Sequence, residues 1–175
     1  MEIDPNSNNR HFVYYLVVFV ILCYIISVTM LSVFLLFSGW LSNFNFIFNI
    51  TNSKPADGLD DMVILCLYTI SGALLGGSTL SITSFHRHII VNKCLGVDHV
   101  WGYILAPLLS TVIGILVFCL IQGGLIVFTG GDYNNSSAIS AMLGYIAFGA
   151  IGAYNWDVFI LKLQSLSKKI NDEMR

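Results

Sequence analysis

From Phe12 to Phe37 the chain carries no charged side chain. As a helix rising about 1.5 Å per residue this stretch reaches roughly 39 Å, more than the ~30 Å hydrocarbon core of a bilayer. In lipid such a helix satisfies every backbone N–H and C=O within itself, whereas irregular backbone there would leave them unpaired. The stretch exceeds the ~7–15 residues of a signal-peptide apolar region, and no small-x-small cleavage site follows at Ser38-Gly39-Trp40. It reads as an uncleaved first span.

The same absence of charge recurs over residues 62–82, 100–128 and 138–156. Charged residues make up 10% of the chain and hydrophobic ones 56%, where a soluble domain carries about 25% charge. The expected fold is an all-α membrane protein with four transmembrane helices and short loops. It includes a small extracytoplasmic strand-like segment and a cytoplasmic amphipathic C-terminal helix. The expected order is a cytoplasmic N-terminus at 1–11, a span at 12–37, an extracytoplasmic loop at 38–61 and a span at 62–82. A cytoplasmic loop at 83–99, a span at 100–128, an extracytoplasmic turn at 129–137, a span at 138–156 and a cytoplasmic tail at 157–175 complete it.

The basic residues set the orientation. Of the 8 Lys and Arg, only Lys54 falls on the side of Asp57, Asp60, Asp61 and Asp132. The others, Arg10, Arg87, Lys93, Lys162, Lys168, Lys169 and Arg175, lie on the opposite side. Positive residues mark cytoplasmic segments, so both termini are expected in the cytoplasm.

Two spans carry faces of small residues. Gly72 and Gly76 lie four apart, so they stack on one helix face, and Gly77 widens the strip; Gly149, Gly152 and Ala153 make a second flat face. Ser110 and Gly114 add a third. Lipid tails are as apolar as leucine, so helices associate in a membrane by close van der Waals packing, which small residues permit. These eight residues are the expected helix-packing and homo-oligomer contacts.

Between the first two spans, Phe44, Phe46, Phe48 and Ile50 alternate with Asn43, Asn45, Ile47 and Asn49. A period of two predicts a strand with one apolar face. A lone strand needs a partner or the lipid interface, so these four apolar residues are the expected extracytoplasmic sensing surface. Asp60 and Asp61 sit where they cap the next helix. In the tail, Phe159, Leu163, Leu166 and Ile170 recur at heptad spacing among Lys162, Lys168 and Lys169. That pattern suits a short coiled coil, a helix along the headgroups or a docking site.

Chemistry is scarce. No charged residue lies inside any expected span, which argues against charge-coupled transport. The 4 cysteines stand apart with no CxxC pair, so neither a disulfide framework nor a zinc knuckle is expected. His86, His88, Cys94, Asp98 and His99 form the densest polar group, but their spacing matches no zinc pattern. No nucleophile and base are paired, so no catalytic residue, metal, cofactor or enzyme activity is expected. With a net charge of −2 and no basic tract, direct nucleic-acid binding is not expected. The inner loop (His86, Arg87, His88, Lys93) and the tail (Lys162, Leu163, Leu166, Lys168, Lys169, Ile170) are the expected docking surface for a cytosolic protein partner.

The block from Gly72 to Phe118 runs GALLGG, then SFHRH, then WGYILAPLLSTVIGILVF. It is similar to an arrangement in small four-helix bacterial inner-membrane proteins. In size and layout the chain resembles the KwaA family, membrane subunits of the Kiwa antiphage defence system. The motif likeness is confined to that block; the rest is layout. The resemblance implies a homo-oligomeric sensor in the bacterial inner membrane, working with a cytosolic DNA-binding effector subunit, KwaB. It assigns no individual residue.

Two functions follow as expectations. One is a homo-oligomeric membrane sensor and anchor that recruits or regulates a cytosolic effector. The other is a homo-oligomeric channel or membrane-perturbing effector with a pore lined by Ser71, Ser78, Thr79, Ser81 and Thr83. A pore without rings of charge selects poorly among ions.

Overall fold

The structure, a computed structural model, describes residues 5–47, 59–91, 97–126 and 137–173. Among these residues there is no strand. The helices are α1 (Pro5–Ser42), α2 (Asp61–His86) with a π-helical extension (Arg87–Val91), α3 (Val97–Gln122), α4 (Ser137–Tyr154) and α5 (Trp156–Glu173). Three helices, α1 to α3, are long and apolar enough to cross a membrane; α4 and α5 together add a fourth if that bent pair is one span. The chain is a membrane protein.

Helix α2 is the centre of the bundle, and α1, α3 and α4 all pack on it. Its start is set by Asp60, whose Oδ1 accepts the Met62 N–H at 3.4 Å. From Tyr68 to Ser78 it is buried at nearly every position, all the way round. That is possible because so many of those side chains are short. The hydroxyls of Thr69, Ser71 and Ser78 donate to the carbonyls of Leu65, Leu67 and Leu74 one turn earlier, at 2.7–2.8 Å. Each buried hydroxyl proton is thus satisfied within its own helix, and the outer surface stays flat.

The glycines decide the spacing. A Cβ at Gly72 would collide with the backbone carbonyl of Ile146, one at Gly76 with that of Ala150, and one at Gly149 with that of Thr69. Helices α2 and α4 therefore run in the same direction with their backbones in contact. Helix α3 runs the other way. A Cβ at Gly77 would meet Ser110 Oγ, and one at Gly114 would lie 3.0 Å from both Ile70 Cα and Ala73 Cβ. A Cβ at Gly152 would lie 2.9 Å from Val117 Cγ2. Ala73, Ile113, Val117, Ile121, Tyr145 and Ala153 form the core between these three helices. The small faces expected for packing are thus used within one chain.

Helix α1 is attached more loosely, with most of its apolar side chains exposed. Ile21 and Ile25 pack on Tyr103, and the Tyr24 hydroxyl donates to the Ile104 carbonyl at 3.2 Å. Over its described part, Phe44–Ile47, the end of α1 corrects the expected strand. Asn43 and Phe44 both take left-handed φ, 46° and 60°, and a helical turn resumes at Phe46 and Ile47. Two left-handed residues reverse the chain where a strand would run on. Phe44 is thereby folded under α1 and buried, with its ring 5.1 Å from that of Tyr68. Phe48 and Ile50 lie outside the described residues.

Tyr68 is fully buried, and its hydroxyl has no hydrogen-bond partner among the described residues. A buried, unpaired hydroxyl costs about 1–3 kcal/mol. Tyr68→Phe keeps the ring against Phe44 and removes that cost. Its expected effect is a gain of about 1 kcal/mol in stability, read as a raised melting temperature in detergent; a loss of similar size would show that the hydroxyl has a partner.

The tail does not run straight on from the fourth helix. At Asn155 the chain bends by 94°. The Asn155 N–H closes the last turn of α4 on the Ile151 carbonyl at 3.0 Å, and its side-chain Nδ2 donates to the same carbonyl at 3.3 Å. Its own carbonyl accepts the Phe159 N–H at 3.0 Å, the first bond of α5. One asparagine ends a helix and starts the next, a place where this residue type is favoured. Trp156 and Phe159 then pack on the α2–α4 core and fix the direction of α5.

Candidate functional site

The elbow leaves a space in the bundle. Residue pairs 72 with 146 and 76 with 150 set the parallel register of α2 and α4, so Asn155 lies level with about Ser81. Beyond that level α4 is gone, while α2 runs on to His88. The gap it leaves is a partly open cavity of about 570 Å³.

Helix α2 and its π extension contribute Gly77, Leu80, Ser81, Ser84 and His88, spaced at three and four residues along one helix face. Helix α3 contributes Gly102, Tyr103, Leu105, Ala106, Leu109 and Ser110; the elbow adds Ala153 and Trp156. The floor is where Gly77 meets Ser110. The mouth, about 16 Å away along α2 at 1.5 Å per residue, is at His88. Between them the walls are mostly apolar, with Leu80, Leu105, Leu109 and Trp156 beside Ser81 and Tyr103. The mouth is polar, with Ser84 and His88; His86 and Arg87, which precede His88 in the chain, are exposed.

Two local features shape this site. After His86 the helix widens into the π-helical turn Arg87–Val91, and His88 on that turn lines the cavity. Such widened turns are frequent at functional sites. On α3, Gly102, Ala106 and Ser110 recur at intervals of four and keep that wall thin. A Cβ at Gly102 would meet nothing within 4 Å. The tight α2–α3 contact at Gly77 and Ser110 therefore opens steadily toward the mouth.

The residues expected at sites fall as follows. Gly72, Gly76, Gly77, Ser110, Gly114, Gly149, Gly152 and Ala153 are all buried between helices of this chain. His86 and Arg87 are exposed, and His88 is half-buried in the cavity wall. Lys93 lies outside the described residues. On α5, Lys162 is exposed and Leu163 half-buried; Leu166, Lys168, Lys169 and Ile170 lie on the same helix with side chains outside those described. Phe44 is buried and Phe46 half-buried, its ring 6.2 Å from Phe34. Phe44 thus presents no sensing surface, because the left-handed turn puts it inside.

The five hydroxyls proposed to line a pore do not share one exposed face: Ser71 and Ser78 are buried in the bundle, while Thr79 and Thr83 are exposed. Among the described residues no three His, Cys, Asp or Glu side chains gather as a metal site. The cavity residues Leu80, Ser84, Gly102, Tyr103, Leu105, Leu109 and Trp156 were not singled out from the sequence. The available signal was the fourfold spacing of Gly102, Ala106 and Ser110 opposite Gly77 and Ser81. No family model, curated protein or solved structure matches the chain.

Proposed function

We propose that this chain is a homo-oligomeric membrane sensor and anchor, with four spans and both termini in the cytoplasm, that holds a soluble effector partner at its basic face. The observation that carries this reading is the elbow at Asn155. It sends α5, the one strongly amphipathic helix, away from the bundle at 94° while Trp156 and Phe159 stay locked in the core. Val158, Leu161 and Lys162 are left exposed on it. A helix held rigidly at its root and unpartnered along one side suits the docking of another protein. The likeness to Kiwa membrane subunits adds that this partner is an effector in antiphage defence, KwaB in that system, in the bacterial inner membrane.

Self-association belongs to the same proposal, but the glycine faces are already occupied. The surfaces left for it include the outward ridges of α1, α3 and α4, such as Phe19, Phe34, Leu108 and Ile151. The protein truncated after Lys162 is expected to insert and assemble as the full chain does and to lose the soluble partner on gentle solubilisation. Native mass of the two forms, each isolated from its own host, is the check. Full partner retention by the truncated form would remove the docking role of α5.

A further inference from the structure

We propose that the cavity at the elbow holds one phospholipid molecule, with an acyl chain between Leu80, Leu105, Leu109 and Trp156 and its phosphate at the Ser84–His88 mouth. The site stands whether or not α5 docks a soluble partner. Four observations lead to it.

The first is volume. A space of about 570 Å³ equals the share of roughly nineteen waters at about 30 Å³ each. Its walls are mainly apolar, with leucine, alanine and tryptophan beside Ser81, Tyr103 and Ser110, so in a membrane an acyl chain fills such a gap better than that much water. The second is length. The floor-to-mouth distance of about 16 Å matches half of the ~30 Å hydrocarbon core. The cavity is one leaflet deep.

The third is polarity, which is graded along the slot. Gly77, Leu80 and Leu109 line the deep part with Ser81 and Ser110, whose hydroxyls donate to the Gly77 and Ala106 carbonyls of their own helices, while Ser84 and His88 line the mouth. That order is the order of a lipid, tail first. The fourth is charge. Arg87 precedes His88 in the chain and is exposed, and among the described residues no Asp or Glu lines the cavity; Asp157 follows Trp156 and is exposed. A phosphate there meets hydrogen-bond donors and a guanidinium.

Lipid tails gain little by moving from the bilayer to an apolar slot, because both surroundings are apolar. Retention therefore depends on shape and on the headgroup, and these can be tested separately. Gly102→Leu places a side chain in the open part of the slot, where a Cβ meets nothing. Leucine also favours helix over glycine, so the variant is expected to fold. Its melting temperature in detergent should be no lower than that of the wild type.

The experiment is native mass spectrometry of the full-length protein from lipid vesicles of phosphatidylglycerol and phosphatidylethanolamine. The wild type is expected to keep one phospholipid per chain, and Gly102→Leu to keep at least fivefold less. Addition of inorganic phosphate or glycerol 3-phosphate should leave the bound lipid in place. Equal retention by wild type and Gly102→Leu would overturn the assignment. So would displacement by the free anions, which would mark a phosphate site without a tail. A lower oligomer mass for Gly102→Leu, with no lipid on either form, would give the cavity to a second copy of the chain and also overturn it.

Discussion

Gly72→Leu is expected to separate α2 from α4 and cost at least about 3 kcal/mol, the upper part of the range for overpacked cores. The obstacle at this position is the backbone of Ile146 itself. A side chain in the way can change rotamer; a helix backbone can only move as a whole. Moving α4 outward would break the contacts of Gly76 with Ala150 and of Gly149 with Thr69 together. For a chain of this size, about 2–4 °C per kcal/mol gives a fall of roughly 6–12 °C in melting temperature. Gly149→Leu should match it, because it opposes the same interface from the other helix. The double variant should cost clearly less than the sum, since helices already apart do not clash twice. A fully additive double variant would show that the two glycines do not share one interface.

These glycines could be read from the sequence because packing in lipid leaves few options. Backbones approach only where side chains are short, and residues four apart must share a face. The four-apart spacing of Gly72 and Gly76 therefore led directly to a contact, although it did not show whether the contact lay within one chain or between two. The elbow was hidden for the opposite reason. Phe159, Leu163, Leu166 and Ile170 have the same spacing whether or not the helix axis turns before them. The turn depends on one asparagine whose side chain and backbone both reach the Ile151 carbonyl. The cavity was hidden with it, because Leu80, Leu105 and Leu109 look like ordinary span residues until α4 turns away. Gly102 is the exception: it lies on the same face as Ala106 and Ser110, and a glycine in that position asks why the wall must be thin.

The end of α1 gives the sharpest case of a pattern overruled, and the last prediction follows from it. The alternation of Asn43, Phe44, Asn45 and Phe46 has the period of a strand, but periodicity says nothing about the sign of φ. Phe44 takes φ 60°, a conformation that costs an L-residue with a Cβ about 1–2 kcal/mol. What offsets this is the burial of its ring against Tyr68 and Gly39. Phe44→Ala keeps the strain and discards the ring, so it is expected to cost about 3–5 kcal/mol, as for a core phenylalanine. Phe44→Gly also loses the ring, yet releases the strain, and should be more stable than Phe44→Ala by about 1 kcal/mol. At an ordinary strand or helix position the order is the reverse, since glycine there is worse than alanine. The ranking of the two variants by thermal melting therefore tests the left-handed turn separately from the buried ring. If alanine proved the milder substitution, the chain would continue from α1 in extended form, and Phe44 would return to the surface as part of a strand.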